Sequence, residues 1–255
     1  MGRLRPWLCL ALLISGCAPD REAARQAGEP LHIAAASDLQ AALPAIVARF
    51  EQERGLRVLV SYGSSGNLAR QIAQGAPFDL FLAANRQFVT DLADRGIIRP
   101  DSVRPYARGS LALAIHEGSG IAVTSLDDLR KPEIQAIALA NPETAPYGAA
   151  GKQALERAGL WNDLQPKIAP AETVRQALQF VQTGNAEVGL VGRAIANVPG
   201  VRVVPIDPAR YDPIIQALGI VARSHQTAAA EDFARYLLSE AGQDILARYG
   251  FSPPD

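Results

Sequence analysis

The first half of the chain alternates short apolar runs with stretches in which apolar residues recur at helical spacing. Short apolar runs bounded by turn residues are typical of buried strands, whereas apolar residues three and four positions apart are typical of helices. The pattern predicts strands at Leu31–Ala36, 56–61 and 78–83, and helices that open at Ser37, pass through Leu68 and Ile72, and span 87–95. This βαβαβα order predicts a mostly parallel sheet with helices on both faces.

The second half repeats this alternation with different spacings. It predicts strands at 110–116, 136–140, 188–191, Val201–Pro205 and 214–222, a helical turn at 125–129, and helices at 148–158, 172–183 and 229–249. Two α/β lobes follow from the repetition, with residues 31–108 and 213–255 in lobe I and residues 109–212 in lobe II. Strands 110–116 and 214–222 are the candidates for crossing between the lobes, because no segment of linker composition separates them.

A targeting segment opens the chain. Arg3 and Arg5 form a positive stretch, and residues 7–14 form an apolar stretch. This stretch is too short to span about 30 Å of hydrocarbon but long enough for export machinery. Small residues follow it, so residues 1–16 are predicted to be a signal peptide.

The end of this segment also indicates a lipid anchor. Residues 14–17, Ile-Ser-Gly-Cys, resemble the lipobox of bacterial lipoproteins, in which the cysteine becomes the lipidated first residue of the mature protein. Cys17 is therefore the predicted lipidation site, and a plain secretory peptide is the alternative. Residues 17–30 are polar and small and are predicted to tether the folded body to the anchor. The predicted location is the periplasm or the cell envelope.

The composition excludes several classes of protein. The 255 residues are 48% hydrophobic and 20% charged, which is typical of a folded globular protein rather than a disordered one. A formal charge of −1 provides no basic field, so nucleic acid is not expected as a partner. Cys9 and Cys17 are the only cysteines, so the mature chain has no pair for a disulfide. The three histidines show no metal-binding spacing and no nucleophile motif is present, so no enzyme activity is predicted.

Four predicted turns share one physical feature: a strand ends, small or hydroxyl residues follow, and a helix begins. They lie at 36–38, 63–66, 145–148 and 170–174. A helix start leaves backbone N–H groups unpaired and carries about half a positive charge, and a serine adds a hydroxyl donor. Because the carboxyl ends of parallel strands share one edge of a sheet, several such starts can form an anion site without Lys or Arg.

Each of these turns also has an ordinary structural explanation. Ser37 can be a helix cap, and the serines between Gly63 and Gly66 can form a simple turn. Tyr147 lies between a proline and a glycine in a turn, and Val174 can be a core residue. The residues taken alone therefore indicate a two-lobed α/β protein and leave its ligand open.

Five segments of the chain together resemble the molybdate-binding periplasmic component of ABC transporters. They are AAASDLQAALPAI (34–46), VSYGSSGNLARQIAQGAPFDLFLAA (60–84), NPETAPYGAAGKQALERAGLW (141–161), PKIAPAETVRQALQFVQTGNAEVGLV (166–191) and RYGF (248–251). The resemblance implies a type II periplasmic binding protein of the Venus flytrap kind, a monomer that binds one oxyanion, molybdate or tungstate, between its lobes. It implies no cofactor and no free metal cation. The implied partner is a membrane permease driven by a cytoplasmic ATPase.

The resemblance also implies particular donors for the oxyanion. Ser37, the serine after Ala-Ala-Ala, would donate its hydroxyl and backbone N–H. Ser65, with Ser64 beside it, matches the serine of the small-residue turn. Tyr147 and Val174 match positions that donate backbone N–H groups, which tolerate different side chains.

Two neighbouring positions depart from this pattern of donors. Gly192 stands where some family members have a tyrosine that donates its hydroxyl, so this contact is either absent or replaced by water or a neighbouring N–H. Asp38 follows Ser37, and its carboxylate is expected to point away from the cleft because it would repel an anion. A binding protein for sulfate, phosphate or an organic anion is the alternative function.

Overall fold

The computed structural model describes residues 29–254. The predicted signal peptide, Cys17 and the tether up to residue 28 lie outside the described residues. In the described part of the chain, no helix combines the length and the apolar character needed to cross a lipid bilayer. This part forms two five-stranded sheets flanked by helices, which is the predicted two-lobed α/β fold.

The first sheet has the strand order β2-β1-β3-β10-β4. Its strands are β1 (Leu31–Ala36), β2 (Val58–Gly63), β3 (Leu80–Ala83), β4 (Arg104–Gly109) and β10 (Ile214–Ile220). Strands β1, β2 and β3 run parallel, whereas β10 runs antiparallel to both of its neighbours. All of β3 is buried because it lies in the middle of the sheet with helices on both faces.

The second sheet has the order β7-β6-β8-β5-β9 and repeats the plan of the first. Its strands are β5 (Leu111–His116), β6 (Ile137–Ala140), β7 (Ile168–Ala171), β8 (Val188–Gly192) and β9 (Val201–Pro205). Strands β6, β7 and β8 run parallel, and β5 runs antiparallel to β8 and β9. Each sheet therefore contains three parallel strands whose carboxyl ends share one edge.

Helices cover the faces of both sheets. The first lobe has α1 (Leu43–Arg54), α2 (Ser65–Ala73), α3 (Arg86–Asp94), α8 (Thr227–Leu238) and α9 (Glu240–Arg248). The second lobe has α4 (Pro146–Arg157), α5 (Trp161–Leu164), α6 (Val174–Gln182) and α7 (Arg193–Ala196). Short 3-10 turns lie at Ser37–Gln40, Pro100–Ser102, Glu117–Ser119, Asp127–Arg130, Gln165–Lys167 and Pro208–Arg210.

Two strands are missing from the sequence prediction. β4 has the sequence RPYARG, with two arginines, and β7 has the four-residue sequence IAPA, which a proline interrupts, so neither shows a clear strand pattern. Both lie at an edge of their sheet, where a strand has one neighbour and tolerates proline. Their place in the sheet depends on pairing with that neighbour more than on their own hydrophobicity.

The helix predicted from Ser37 is divided in the structure. Ser37–Gln40 forms a 3-10 turn, and α1 begins only after two further residues. Pro44 cannot donate a backbone hydrogen bond, so it fits the first turn of a new helix but not the interior of a continuous one. The helical region predicted at 229–249 is likewise two helices, because Ser239 ends α8 and caps α9.

The prediction that strands 110–116 and 214–222 cross between the lobes is wrong. Within residues 29–254, β5 pairs only with β8 and β9, and β10 pairs only with β3 and β4. The chain crosses instead at Ser110, between β4 and β5, and in the segment 206–213, between β9 and β10. A strand must keep one register with its neighbours, so the change of sheet falls in the connections.

The two lobes share a packed apolar surface. One cluster of buried residues surrounds the second sheet and also includes Ala36 and Ala84, which lie at the carboxyl ends of β1 and β3 in the first sheet. Tyr147 and Val174 belong to the same cluster. The carboxyl ends of the first lobe's parallel strands therefore contact the second lobe, and the lobes are closed on each other at this point.

Candidate functional site

The first lobe contributes two turns at the carboxyl ends of β1 and β2. Ser37 follows β1, Ser64 and Ser65 follow β2, and α2 begins at Ser65. The parallel register pairs Ala36 with Gly63, so the two turns lie side by side at one edge of the sheet. Ser37, Ser64 and Ser65 are 5%, 3% and 0% exposed. The predicted residues of this lobe are therefore adjacent and buried.

The second lobe contributes a matching pair of turns. Tyr147 lies in the first turn of α4, which follows β6, and Val174 begins α6, which follows β7. The register pairs Ala140 with Ala171, so these helix starts are also neighbours. Both Tyr147 and Val174 are buried. The first N–H groups of a helix have no acceptor within it, so both positions can donate to a ligand.

The two pairs of turns face each other across the boundary between the lobes. The backbone N–H of Gly66, in the first turn of α2, donates to the carbonyl oxygen of Thr144 at 2.8 Å. Nδ2 of Asn67 donates to Oε1 of Glu172 at 3.0 Å. A Cβ atom at Gly66 would lie 3.0 Å from the Thr144 carbonyl oxygen, so this approach requires glycine. The structure thus brings all four predicted turns into one closed interlobe region.

The serine hydroxyls of the site differ in their protein partners. Oγ of Ser65 accepts a hydrogen bond from the N–H of Ala84 at 2.9 Å, so its own hydrogen is free to donate. Oγ of Ser64 is buried and has no hydrogen-bond partner among the described residues. A buried hydroxyl without a partner costs about 1–3 kcal/mol, so folded proteins rarely contain one. Both hydroxyls are available to a ligand that only accepts hydrogen bonds.

Within the four turns, positive charge comes from the backbone and not from side chains. The turns contain no Lys or Arg, and their acidic residues are Asp38 and Glu172. Helix starts supply a positive potential of about half a unit charge each. Among residues 29–254, no group of three or more His, Cys, Asp and Glu side chains could hold a metal ion. The arrangement of donors fits an anion.

The Asp38 carboxylate, which was predicted to point away from the cleft, is held inside the protein by a side-chain partner. Its side chain is fully buried, and its Oδ2 accepts a hydrogen bond from Nε2 of Gln216 at 2.5 Å. The same Nε2 donates to the Tyr147 hydroxyl at 3.2 Å, and the Tyr106 hydroxyl donates to Oε1 of Gln216 at 2.6 Å. A buried carboxylate needs polar partners, and Gln216 supplies one inside the protein. This network connects the first lobe to Tyr147 of the second.

Burial changes the ionisation of the groups in this network. Desolvation raises the pKa of the Asp38 carboxyl from 3.8 to about 6, while hydrogen bonds with Gln216 and Tyr147 act in the opposite direction. Desolvation and the charge of Asp38 raise the pKa of the Tyr147 and Tyr106 hydroxyls well above their usual range. Both tyrosines are therefore neutral at physiological pH, whereas Asp38 titrates near pH 6.

The absence of a side chain at Gly192 is explained by its contact with Tyr147. A Cβ atom at Gly192, the last residue of β8, would lie 3.0 Å from Cε1 and 3.1 Å from Cζ of the Tyr147 ring. The ring therefore occupies the space that a side chain at position 192 would need. Its hydroxyl belongs to the network with Gln216, so the backbone N–H of Tyr147 remains the predicted donor.

Replacing Gly192 by alanine is expected to lower the free energy of unfolding by about 1–3 kcal/mol, because the added methyl group overpacks against the Tyr147 ring. Chemical denaturation measures this loss. In a double-mutant cycle, Tyr147→Ala should remove most of the penalty, since the group that meets the methyl is gone. An equal penalty in both backgrounds would show that the ring does not exclude a side chain at position 192.

Sequence reasoning missed the residues that hold the two lobes together at this site. The contacts of Gly66 with Thr144 and of Asn67 with Glu172 join segments far apart in the chain, and no local pattern indicates them. Gln216 carries a signal that could have been used. It is the one polar residue of β10, IIQALGI, and a polar side chain in a buried strand requires a polar partner.

Comparison with known proteins identifies the family of the chain. The sequence model of the family described as bacterial extracellular solute-binding protein matches residues 31–252. The chain belongs to this family. The match includes both sheets and all four turns, so the site described above lies within the part of this solute-binding protein that its family shares.

Relatives of this solute-binding protein match most of its length. The putative ABC transporter substrate-binding lipoprotein YvgL of Bacillus subtilis is 34% identical over 246 residues, and the match covers 94% of each chain. The molybdate-binding protein ModA of Azotobacter vinelandii is 33% identical, covering 89% of this chain and 91% of that one. The ModA protein of Escherichia coli is 32% identical, with coverage of 86% and 87%.

Solved structures share the two-lobed fold. The periplasmic molybdate-binding protein of Azotobacter vinelandii is 30% identical with a TM-score of 0.83, covering 88% of this chain and 100% of that one. The sulfate-binding protein SubI of Mycobacterium tuberculosis has a TM-score of 0.76 and coverage of 89% and 87%, but is only 20% identical. The second likeness establishes the fold alone.

Proposed function

We propose that this solute-binding protein captures molybdate between its lobes and delivers it to the permease of an ABC transporter. The observation that carries the proposal is the convergence of four helix starts from both lobes with the buried serine hydroxyls of the first lobe, without a Lys or Arg in the same turns. The similarity to ModA proteins, which are named for molybdate binding, supports the choice of anion.

The proposed donors are hydroxyl and backbone groups of five residues. Ser37, Ser64 and Ser65 donate from the first lobe, and the backbone N–H groups of Tyr147 and Val174 donate from the second. Molybdate at neutral pH is a dianion with four acceptor oxygens and no proton, so each of its contacts must be donated by the protein. Hydrogen bonds to charged groups contribute about 1.5–3 kcal/mol each. Several of them support a sub-micromolar Kd after the costs of association.

A site made only of donors discriminates among oxyanions by protonation and by size. Phosphate carries a proton near neutral pH, and its O–H group would face a donor and leave both groups unpaired. Sulfate has the charge and shape of molybdate but is smaller, so its oxygens reach the donors of both lobes less well. Tungstate resembles molybdate in charge and shape and is proposed to bind in the same way.

The proposal also assigns the protein a place in the cell envelope. Residues 1–16 direct export, Cys17 carries a lipid, and the tether that follows holds the body near the membrane. The anion bridges lobe I (31–108 and 213–255) and lobe II (109–212), and so favours the closed state. The permease recognises this state and its ATPase drives import. The protein acts as a monomer and catalyses no reaction.

Isothermal titration calorimetry of the mature protein with molybdate, tungstate, sulfate and phosphate tests the proposal. One molybdate or tungstate per chain is expected to bind with a sub-micromolar Kd. Sulfate and phosphate are expected to bind at least about 100-fold more weakly, because they lose donated contacts. Tight binding of phosphate or sulfate without a response to molybdate would assign the site to a different oxyanion.

Replacing Ser64 by alanine is expected to weaken molybdate binding about 10-fold or more, yet leave the ligand-free protein equally stable or more stable. The variant loses no hydrogen bond within the protein and removes a buried, unpaired hydroxyl. Ser65→Ala is the matched comparison: it also deprives the Ala84 N–H of its acceptor, so stability and affinity should both fall. Calorimetry and thermal unfolding distinguish the two variants. Unchanged affinity in Ser64→Ala would remove Ser64 from the site.

A further inference from the structure

A cavity of about 410 Å³ lies where the two lobes meet, beside the proposed anion site. The first lobe lines it with Gln40, Arg248 and Tyr249, and the second lobe lines it with Arg175 and Arg193. Its lining among the described residues includes three arginines and no acidic side chain. Arg175, Arg193 and Arg248 are called the basic patch below.

The stability of the fold does not explain the basic patch. In the described part of the chain, the structure records no ion pair and no side-chain hydrogen bond for its three arginines, whereas Arg99 and Arg130 are paired with acids. Arg175 lies in the first turn of α6, where the helix dipole disfavours a cation. Like charges around one cavity also repel each other. The clustering therefore costs stability, which indicates a role in binding.

The basic patch lies next to two positions of the proposed site. Arg175 directly follows Val174, and Arg193 directly follows Gly192. Both arginine side chains line the cavity at the boundary between the lobes. Their charges therefore add to the potential through which an anion approaches this boundary.

The rest of the protein repels a dianion. The chain has 25 Lys and Arg against 26 Asp and Glu, and loss of the two arginines in residues 1–16 gives the mature protein a net charge of −3. A negatively charged protein slows the approach of an anion unless cations are concentrated near its binding site. The basic patch is such a concentration.

We propose that the basic patch attracts the oxyanion and raises its association rate constant without contacting the bound anion. This inference uses the proposed function only in that the solute is a divalent oxyanion. The donors of the four turns hold the anion after it arrives, whereas the arginines act through space during its approach. They should therefore act equally on molybdate and sulfate, which carry the same charge, and should not contribute to selectivity.

The test compares Arg175→Gln/Arg193→Gln with the matched control Arg57→Gln/Arg95→Gln. Both pairs of substitutions remove two positive charges. Arg57 and Arg95 are both exposed. Arg57 precedes β2 and Arg95 follows α3, so both lie at the end of the first sheet opposite the cleft. Stopped-flow fluorescence with molybdate and with sulfate measures association and dissociation rate constants between about 10 mM and about 1 M salt, the range over which screening becomes complete.

At low salt, the variant of the basic patch is expected to associate about 10-fold more slowly with both anions, with an unchanged dissociation rate constant. The difference should shrink below about twofold at high salt, and the control should behave like the wild type. Adding Arg248→Gln should slow association further.

Four results would overturn the inference: an unchanged association rate constant, an equal loss in the control, a loss that persists at high salt, or an effect confined to the dissociation rate constant. A wild-type protein that binds sulfate but not molybdate would contradict the proposed function, and the comparison of rate constants would still decide the role of the patch with sulfate. A protein that binds neither anion would contradict both.

Discussion

Replacing Ser37 and Ser65 together by alanine is expected to weaken molybdate binding by a factor of about 100 or more. Each substitution removes a hydroxyl that donates to a charged ligand, and such a hydrogen bond contributes about 1.5–3 kcal/mol to the binding free energy. The two serines follow neighbouring strands and are both buried, so water cannot easily replace their contacts. Calorimetry with molybdate measures the loss.

The control for this double variant is Ser252→Ala. Ser252 is exposed, and no side-chain hydrogen bond is recorded for it in the described part of the chain. The Ser252→Ala variant should therefore bind molybdate with the affinity of the wild type. Ser65→Ala alone reports how much the lost bond to the Ala84 N–H affects folding, which keeps the two effects apart. A loss of less than about 10-fold in the double variant would mean that these hydroxyls do not hold the anion.

The second large effect is expected at Asp38. Burial raises the pKa of its carboxyl from 3.8 to about 6, so the folded protein binds a proton that the unfolded chain has released between these pH values. Above about pH 6, the ionised carboxylate costs the folded state about 3 kcal/mol relative to the unfolded state. Below about pH 4, the group is protonated in both states and the cost disappears. This contribution to stability therefore falls as pH rises from about 4 to about 6.

The Asp38→Asn variant should lack this contribution. Asparagine has the size of aspartate, and its Oδ1 can still accept the hydrogen bond from Gln216. Denaturant unfolding at about pH 4, 6 and 8 should give a difference from the wild type that grows to about 3 kcal/mol in favour of the variant. Asp244→Asn, which makes the same change at an exposed acid, is the matched control. Parallel pH profiles for the wild type and Asp38→Asn would contradict the assigned ionisation.

Local pattern was a good guide to β1 and β6, which precede the turns at Ser37 and Tyr147, and to β9. Leu31–Ala36 and Val201–Pro205 agree with their predicted bounds, and the predicted strand at 136–140 differs from Ile137–Ala140 by one residue. These runs are apolar or alternate clearly, and turn residues bound them, so burial and pattern coincide. The edge strands β4 and β7 lack that pattern because their position depends on a neighbouring strand.

For the candidate site too, the sequence identified some features and missed others. Small and hydroxyl residues between a strand and a helix identified the turns around Ser37, Ser65, Tyr147 and Val174, because the requirements of a helix start are local. The partner of Asp38 was not predicted, since Gln216 lies in a strand near the other end of the chain. No neighbour in the sequence could show that a buried amide was available to the carboxylate.

The sequence by itself determined the α/β class, the four helix starts that can donate to an anion, and the family to which the chain is similar. These depend on periodicity, turn chemistry and residue order, which act over a few positions. Only the tertiary structure decided where the chain crosses between the sheets, which hydroxyl lacks a partner, and why the Tyr147 ring excludes a side chain at Gly192. Those features depend on which distant segments come into contact, and contact in three dimensions follows from packing the whole chain at once.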